Sequence, residues 1–320
     1  NVRKNNFLNL IINSKLVKLS VSLVLIYFAF KKVDVAVLAR DLSKIEWWFL
    51  VANIVISLIL SCLVSWRWSL LLIKKPRFKE VLLFFKSSLS ASFYGLFLPS
   101  SAVAGDALKW IIIDEKYPEI PKSKLLGSIL LDRFVGLTVF VVLGSVMIFL
   151  AGTRGIEIPL ILQIVFVGLL VGCVVFYVIV IFFDIKKILK FKWLNKFSGV
   201  LDLVDRGNLG QIAKSLGVSL ISDIFWVLQM WFIGWYFGTG LSFALILIFL
   251  PVISTILTLP ISFAGFGARE QLFLYFFAAE AGSVESVLLM STFAGILGVI
   301  NSLVGGLVTL TPDFKRSREK

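Results

Sequence analysis

Long apolar runs alternate with short, basic, polar stretches along this chain. Runs at about 16–30, 47–73, 125–151, 158–183, 215–237 and 286–311 each approach the roughly 20 apolar residues needed to cross a bilayer as a helix. The first is short and draws on residues 8–15. Two further regions, about 80–113 and 243–280, are apolar but interrupted by Pro and Gly, so they do not read as simple spans. The pattern predicts an all-α polytopic membrane protein with about six full transmembrane helices and two broken segments.

The two broken segments align without a gap. Leu98-Pro99-Ser100-Ser101 at the head of one matches Leu259-Pro260-Ile261-Ser262 at the head of the other, and Ala107 falls on Ala268. Charged residues close both stretches, Asp106 and Lys109 in the first, Arg269 and Glu270 in the second. Pro99, Gly105, Pro260, Gly265 and Gly267 are the expected helix breakers. Paired, interrupted hydrophobic segments are a sequence pointer to a transporter's substrate site.

Charge placement fixes an expected orientation. Of 32 Lys and Arg, 25 fall in 1–18, 67–86, 109–124, 184–214 and 315–320, against five in 31–46 and at Arg154. That asymmetry predicts both termini in the cytoplasm of a cell with its chain in the plasma membrane. With ends so placed, 80–113 leaves and re-enters on the cytoplasmic side, and 243–280 does so on the other. The expectation is therefore two opposed re-entrant helical hairpins forming an inverted repeat within a single integral membrane domain, 1–320. Residues 184–206, with five Lys among Ile, Leu, Phe and Trp, are expected to lie along the cytoplasmic surface. The basic start followed by an apolar run reads as a retained first helix, because no small-residue cleavage pattern follows Tyr27-Phe28-Ala29-Phe30.

Composition narrows the chemistry. A mean hydropathy of +0.98 leaves no room for a soluble catalytic domain within these 320 residues. The net charge of +13 sits beside the spans, where it orients helices and attracts anionic headgroups rather than nucleic acid. The chain has no His, which excludes His-based acid–base catalysis and His-ligated metals. Two cysteines, Cys62 and Cys173, make neither a disulfide framework nor a metal cluster. No cofactor is expected. Trp47, Trp48, Trp66, Trp68 and Trp110 near segment ends suit an interfacial belt, and Gly144, Gly168, Gly172, Gly295, Gly298, Gly305 and Gly306 suit close helix packing.

Charged residues within apolar segments are costly, roughly 2.5–3.5 kcal/mol each at the bilayer centre on insertion scales, and mark function. Asp106 and Lys109, three apart, share one face of a helix starting after Gly105. Asp132 and Arg133 are adjacent and point about 100° apart, so each needs another partner, which the broken hairpins supply. Arg269-Glu270 follows Gly265-Phe266-Gly267, where a tight turn and a helix start favour an anion and an arginine strengthens phosphate binding. Asp223 and Glu280 read as polar packing or interfacial groups.

Three motifs together resemble the flippase-like membrane domain of the lysylphosphatidylglycerol synthases (multiple peptide resistance factors). These are the Leu98-Pro99 to Gly105-Asp106-Ala107-x-Lys109 run, Asp132-Arg133-x-x-Gly136-Leu137, and Leu259-Pro260-x-Ser262-x-x-Gly265-x-Gly267-x-Arg269-Glu270. The family pattern has Gly-Gly-Asp and a later Arg where this chain has Ala104-Gly105-Asp106 and Lys109. The resemblance implies lipid translocation without lipid lysylation, since the aminoacyltransferase domain of the bifunctional members has no counterpart here. The expected substrate is an anionic phospholipid or lipid-linked precursor. Arg269, with Arg133 or Lys109, is expected to hold the anion, Asp106 and Glu270 to balance those charges in the empty state or bind a cationic part of the headgroup, and Asp132 to belong to the same substrate-binding set. A homo-oligomer or a partner enzyme fits this expectation. Two rival classes stay open: an ion-coupled small-solute carrier, and a membrane transferase using Asp106 or Asp132 as base or metal ligand.

Overall fold

Hydrocarbon offers no hydrogen-bond partner, so an apolar run of membrane length satisfies its backbone by folding on itself as a helix. The computed structural model describes residues 40–97, 101–153, 158–182, 203–204, 206–257 and 267–309. The expected span at 16–30, most of 184–206 and the breakers Pro99, Pro260 and Gly265 lie outside the described residues. Among the described residues every regular element is helical: α1 Trp47–Leu72, α2 Phe78–Phe97, α3 Ser101–Lys116, α4 Lys122–Thr153, α5 Leu160–Phe182, α6 Leu209–Tyr236, α7 Phe243–Leu257, α8 Ala268–Phe277 and α9 Val284–Val308. A 3₁₀ turn, Arg206–Asn208, leads into α6.

Five of these, α1, α4, α5, α6 and α9, are long and apolar enough to cross a membrane. They correspond to the expected runs at 47–73, 125–151, 158–183, 215–237 and 286–311, and the chain is a multi-pass membrane protein. The interrupted regions give shorter helices. With a rise of about 1.5 Å per residue, the 15 residues of α7 extend only about 22 Å, short of a hydrocarbon core of about 30 Å. The 16 residues of α3 and the 10 of α8 fall short as well, and α2 carries Lys79, Glu80 and Lys86. α2 packs along α3, and α7 contacts α8.

Besides α2 on α3, the most extensive contacts of the bundle are α9 on α2, α6 on α1, and α7 on α4. Glycine makes the first possible. A Cβ on Gly305 would overlap the Leu89 carbonyl, and one on Gly306 would lie 2.7 Å from the Phe93 ring. Gly144 likewise receives the Phe166 ring. Among the described residues, a Cβ at Gly168, Gly172 or Gly298 meets nothing within 4 Å, so these glycines make no close helix contact there.

Two apolar cores occupy opposite ends of α1. Around its N-terminal end, Phe49 stacks on Tyr236 at 3.7 Å and on Phe293 at 5.2 Å, amid Ile246, Leu250, Phe273 and Phe277. Around its C-terminal end, Trp68, Phe84, Ile113, Leu125 and Ile129 form a second core. Trp68 is therefore a packing residue, 2% exposed, rather than a member of an interfacial belt.

Candidate functional site

A stripe of small polar side chains runs down α1 at every fourth residue: Asn53, Ser57, Ser61 and Ser65. Asn53, Ser61 and Ser65 each donate to the carbonyl one turn back, so the stripe satisfies itself within the helix. It faces a matching series on α6. Gln229 donates to the Asn53 carbonyl at 3.0 Å and to the Ser57 hydroxyl at 2.9 Å. Further along, Ser215 donates to the Arg67 carbonyl at 3.3 Å.

Arg67 closes this seam. Its guanidinium makes a two-pronged bond to Asp132 of α4, 2.7 Å from Nε to Oδ1 and 3.1 Å from Nη2 to Oδ2, and donates from Nη1 to Ser219 of α6 at 2.9 Å. Arg67 and Asp132 are 7% and 8% exposed. The Asp132-x-x-x-Gly136 spacing now has a physical reason. One turn beyond Asp132, a Cβ on Gly136 would stand 2.8 Å from Nη1, so the glycine leaves room for the guanidinium its neighbour holds. This corrects one expectation: the partner of Asp132 comes from α1 rather than from a broken hairpin.

Arg133 does take its partner from the broken segment. Its Nε lies 2.5 Å from Asp106 Oδ2 on α3, while Lys109, one turn on, approaches Asp106 Oδ1 at 3.8 Å and sits 5.6 Å above the Trp68 ring. The structure thus brings together Asp106, Lys109 and Arg133. Gly105 does not break the helix as expected. It lies within α3, which starts at Ser101, and its open side packs at 3.4 Å from the Ala91 carbonyl of α2.

Gly267 does end a segment: its φ of +81°, a conformation that favours glycine, turns the chain into α8. Glu270 reaches back to accept from the Gly267 N–H at 2.6 Å, the return half of a capping box. It is 2% exposed and serves the backbone. Arg269, its neighbour, lines a cavity. Glu280 is exposed in the turn before α9, and Asp223, 5% exposed, is buried inside the bundle.

Two cavities adjoin in the bundle. The first, about 470 Å³, is bounded by α1, α4, α6, α7, α8 and α9, with Arg269 the one charged residue in its described wall beside Ser57, Gln229, Ser254 and Asn301. The second, about 600 Å³, lies between α1, α4 and α6 and carries Arg67, Arg133 and Asp223. They share Leu60, Phe140 and Trp226. The Phe140 and Trp226 rings meet edge-on, centroids 5.8 Å apart. Asp106, Lys109, Asp132 and Glu270 line neither of these two cavities.

A family model described as the lysylphosphatidylglycerol synthase TM region matches residues 15–305. The chain belongs to that family. No match to a curated protein or to a solved structure was found. For a member of the lysylphosphatidylglycerol synthase TM-region family, the residues that sequence reasoning passed over are Arg67, the serine stripes of α1 and α6, and the Phe140–Trp226 wall. The stripes carried a readable signal, small polar residues at helical spacing within apolar runs. The wall carried none, since an aromatic in a span looks the same whether it faces lipid or a cavity.

Proposed function

We propose that this protein is a flippase-like lipid translocase, in which a phosphate-bearing headgroup passes between the Arg133 cavity and the Arg269 cavity while the acyl tails stay in the bilayer. The observation that carries this reading is the pair of adjoining cavities, each with arginine in its wall, inside an apolar bundle. Guanidinium groups bind phosphate through paired hydrogen bonds, and charge within membrane helices marks a polar pathway. Membership of a family named for a lipid synthase's membrane region agrees with a lipid-related role.

In this reading α2–α3 and α7–α8 are re-entrant hairpins of an inverted repeat. They dip into the plasma membrane from opposite faces, with both chain termini cytoplasmic. The excess of Lys and Arg on one side of the spans supports that orientation. The lipid is moved rather than chemically altered, and a separate enzyme or second copy of the chain acts alongside.

Leaflet exchange of fluorescent phospholipids in proteoliposomes tests this. The native protein should accelerate exchange of anionic lipids over protein-free vesicles, and a folded Arg269→Ala variant should lose about ten- to a hundredfold of that rate, the worth of a hydrogen bond to a charged group. No acceleration with anionic or zwitterionic headgroups sinks the proposal. Uptake of soluble anions instead would identify a solute carrier, and Mg²⁺-dependent lipid turnover a transferase.

A further inference from the structure

Asp223 is a carboxylate that the path described above does not use. It sits in α6, 5% exposed, and lines the 600 Å³ cavity. Its Oδ1 lies 3.5 Å from the Ser222 hydroxyl, and Ser219 also faces the carboxylate. Among the described residues, none hydrogen-bonds its Oδ2. A buried carboxylate oxygen without a donor is costly when charged and tolerable when it carries a proton.

The surrounding charges are few. From α1, Arg67 attracts Asp223 but is held by Asp132. From α4 come Asp132 and Arg133, the latter turned to Asp106. α7 has no titratable side chain, α9 has only Glu285 in its first turn, and on α6 itself the other charged group is Lys214 near its start. Ser219 accepts from Arg67 and faces Asp223, so it joins the two carboxylates through one guanidinium.

We propose that Asp223 is a proton-binding site of the second cavity, and that its occupancy decides how Arg67 is shared between two carboxylates. With the proton on Asp223, Arg67 stays with Asp132. When the proton leaves to water in the cavity, the Asp223 carboxylate competes for the guanidinium across Ser219. That loosens the joint between α1 and α4 and alters the charge seen by an anion beside Arg133. A proton suits the site better than a metal cation. One free carboxylate oxygen falls short of the six or so oxygens that hard cations take, and Arg67 repels them. Among the described residues no cluster of three or more acidic, Cys or His groups stands ready to hold a metal. Coupling of this switch to lipid movement rests on the translocase reading; proton binding does not.

Infrared difference spectroscopy of the full chain in lipid, stepped from pH 5 to 9, separates the two. The native protein should show the carbonyl band of a protonated carboxylic acid that disappears as pH rises. Asp223→Asn should lack that band, and Asp223→Glu should retain it at a shifted position. A band unchanged in both variants, or its absence from the native protein, overturns proton binding at Asp223. A band that disappears on adding Na⁺ at fixed pH overturns it in favour of a cation. In proteoliposomes, an imposed proton gradient should change lipid exchange several-fold for the native protein and not for Asp223→Asn. If the band behaves as expected and exchange is absent altogether, the site stands and the translocase reading fails. Where Asp223→Asn does not fold, the Asp223→Glu spectrum alone decides.

Discussion

Arg67–Asp132 and Arg133–Asp106 branch from adjacent positions of α4 into two different environments. The first pair is bidentate, enclosed by three helices, and leaves 9% and 11% of its side chains exposed. The second includes a short contact to Asp106 of a broken segment, an aspartate that Lys109 also approaches, and 48% of the Arg133 side chain is exposed. One residue of displacement along a helix turns a side chain by about 100°, enough to move it from a sealed joint to an open cavity wall. The lesson is that an Asp-Arg motif here serves two purposes. Asp132 fastens the bundle, and Arg133 lines the second cavity.

The comparison breaks most sharply at Asp132. Asp132→Ala leaves Arg67 buried without its carboxylate and should cost about 3–5 kcal/mol in reversible unfolding in mixed micelles. Pairing it with Arg67→Met should restore much of that loss. Arg67→Lys keeps the charge but loses the fork, and should cost about 1.5–3 kcal/mol by the same measurement. Asp106→Ala, by contrast, removes the partner of a half-exposed arginine and should cost no more than about 1 kcal/mol, an effect that fades further at high salt. Equal losses at Asp106 and Asp132 would contradict the division between joint and wall. The smallest effect on stability is expected at Gly298, which opens on the Arg269 cavity. Gly298→Leu should leave unfolding within about 0.5 kcal/mol of native while lowering lipid exchange by occupying that space.

The spans were legible because hydrophobic length is a local property that no distant residue can counterfeit. The runs at 47–73 and 286–311 reappear as α1 and α9 with boundaries shifted by a few residues. The interruptions were legible too, since Pro and Gly limit a helix wherever they stand, although Gly105 turned out to be a packing position inside α3. The pairing of Arg133 with a charge of the first broken segment followed from the cost of leaving an arginine alone in an apolar run. Arg67 was out of reach. It falls within the run at 47–73, near its basic end, and the sequence names no partner for it. Its burial depends on Asp132, 65 positions away, and on a methyl group that Gly136 lacks. The second motif was half legible: the turn at Gly267 was expected, whereas the capping bond by which one Glu270 oxygen serves the Gly267 N–H was not.

The shared wall of Leu60, Phe140 and Trp226 also changes the electrical description of the protein. On the translocase proposal, a charged headgroup moving from Arg133 to Arg269 passes the edge-on pair of Phe140 and Trp226 in place of the roughly 30 Å of hydrocarbon outside the bundle. A transmembrane voltage, worth about 2.3 kcal/mol per elementary charge per 100 mV, concentrates its drop across whatever thin layer separates two wet compartments. On the same proposal, the two aromatic side chains stand where a moving headgroup gains or loses electrical work.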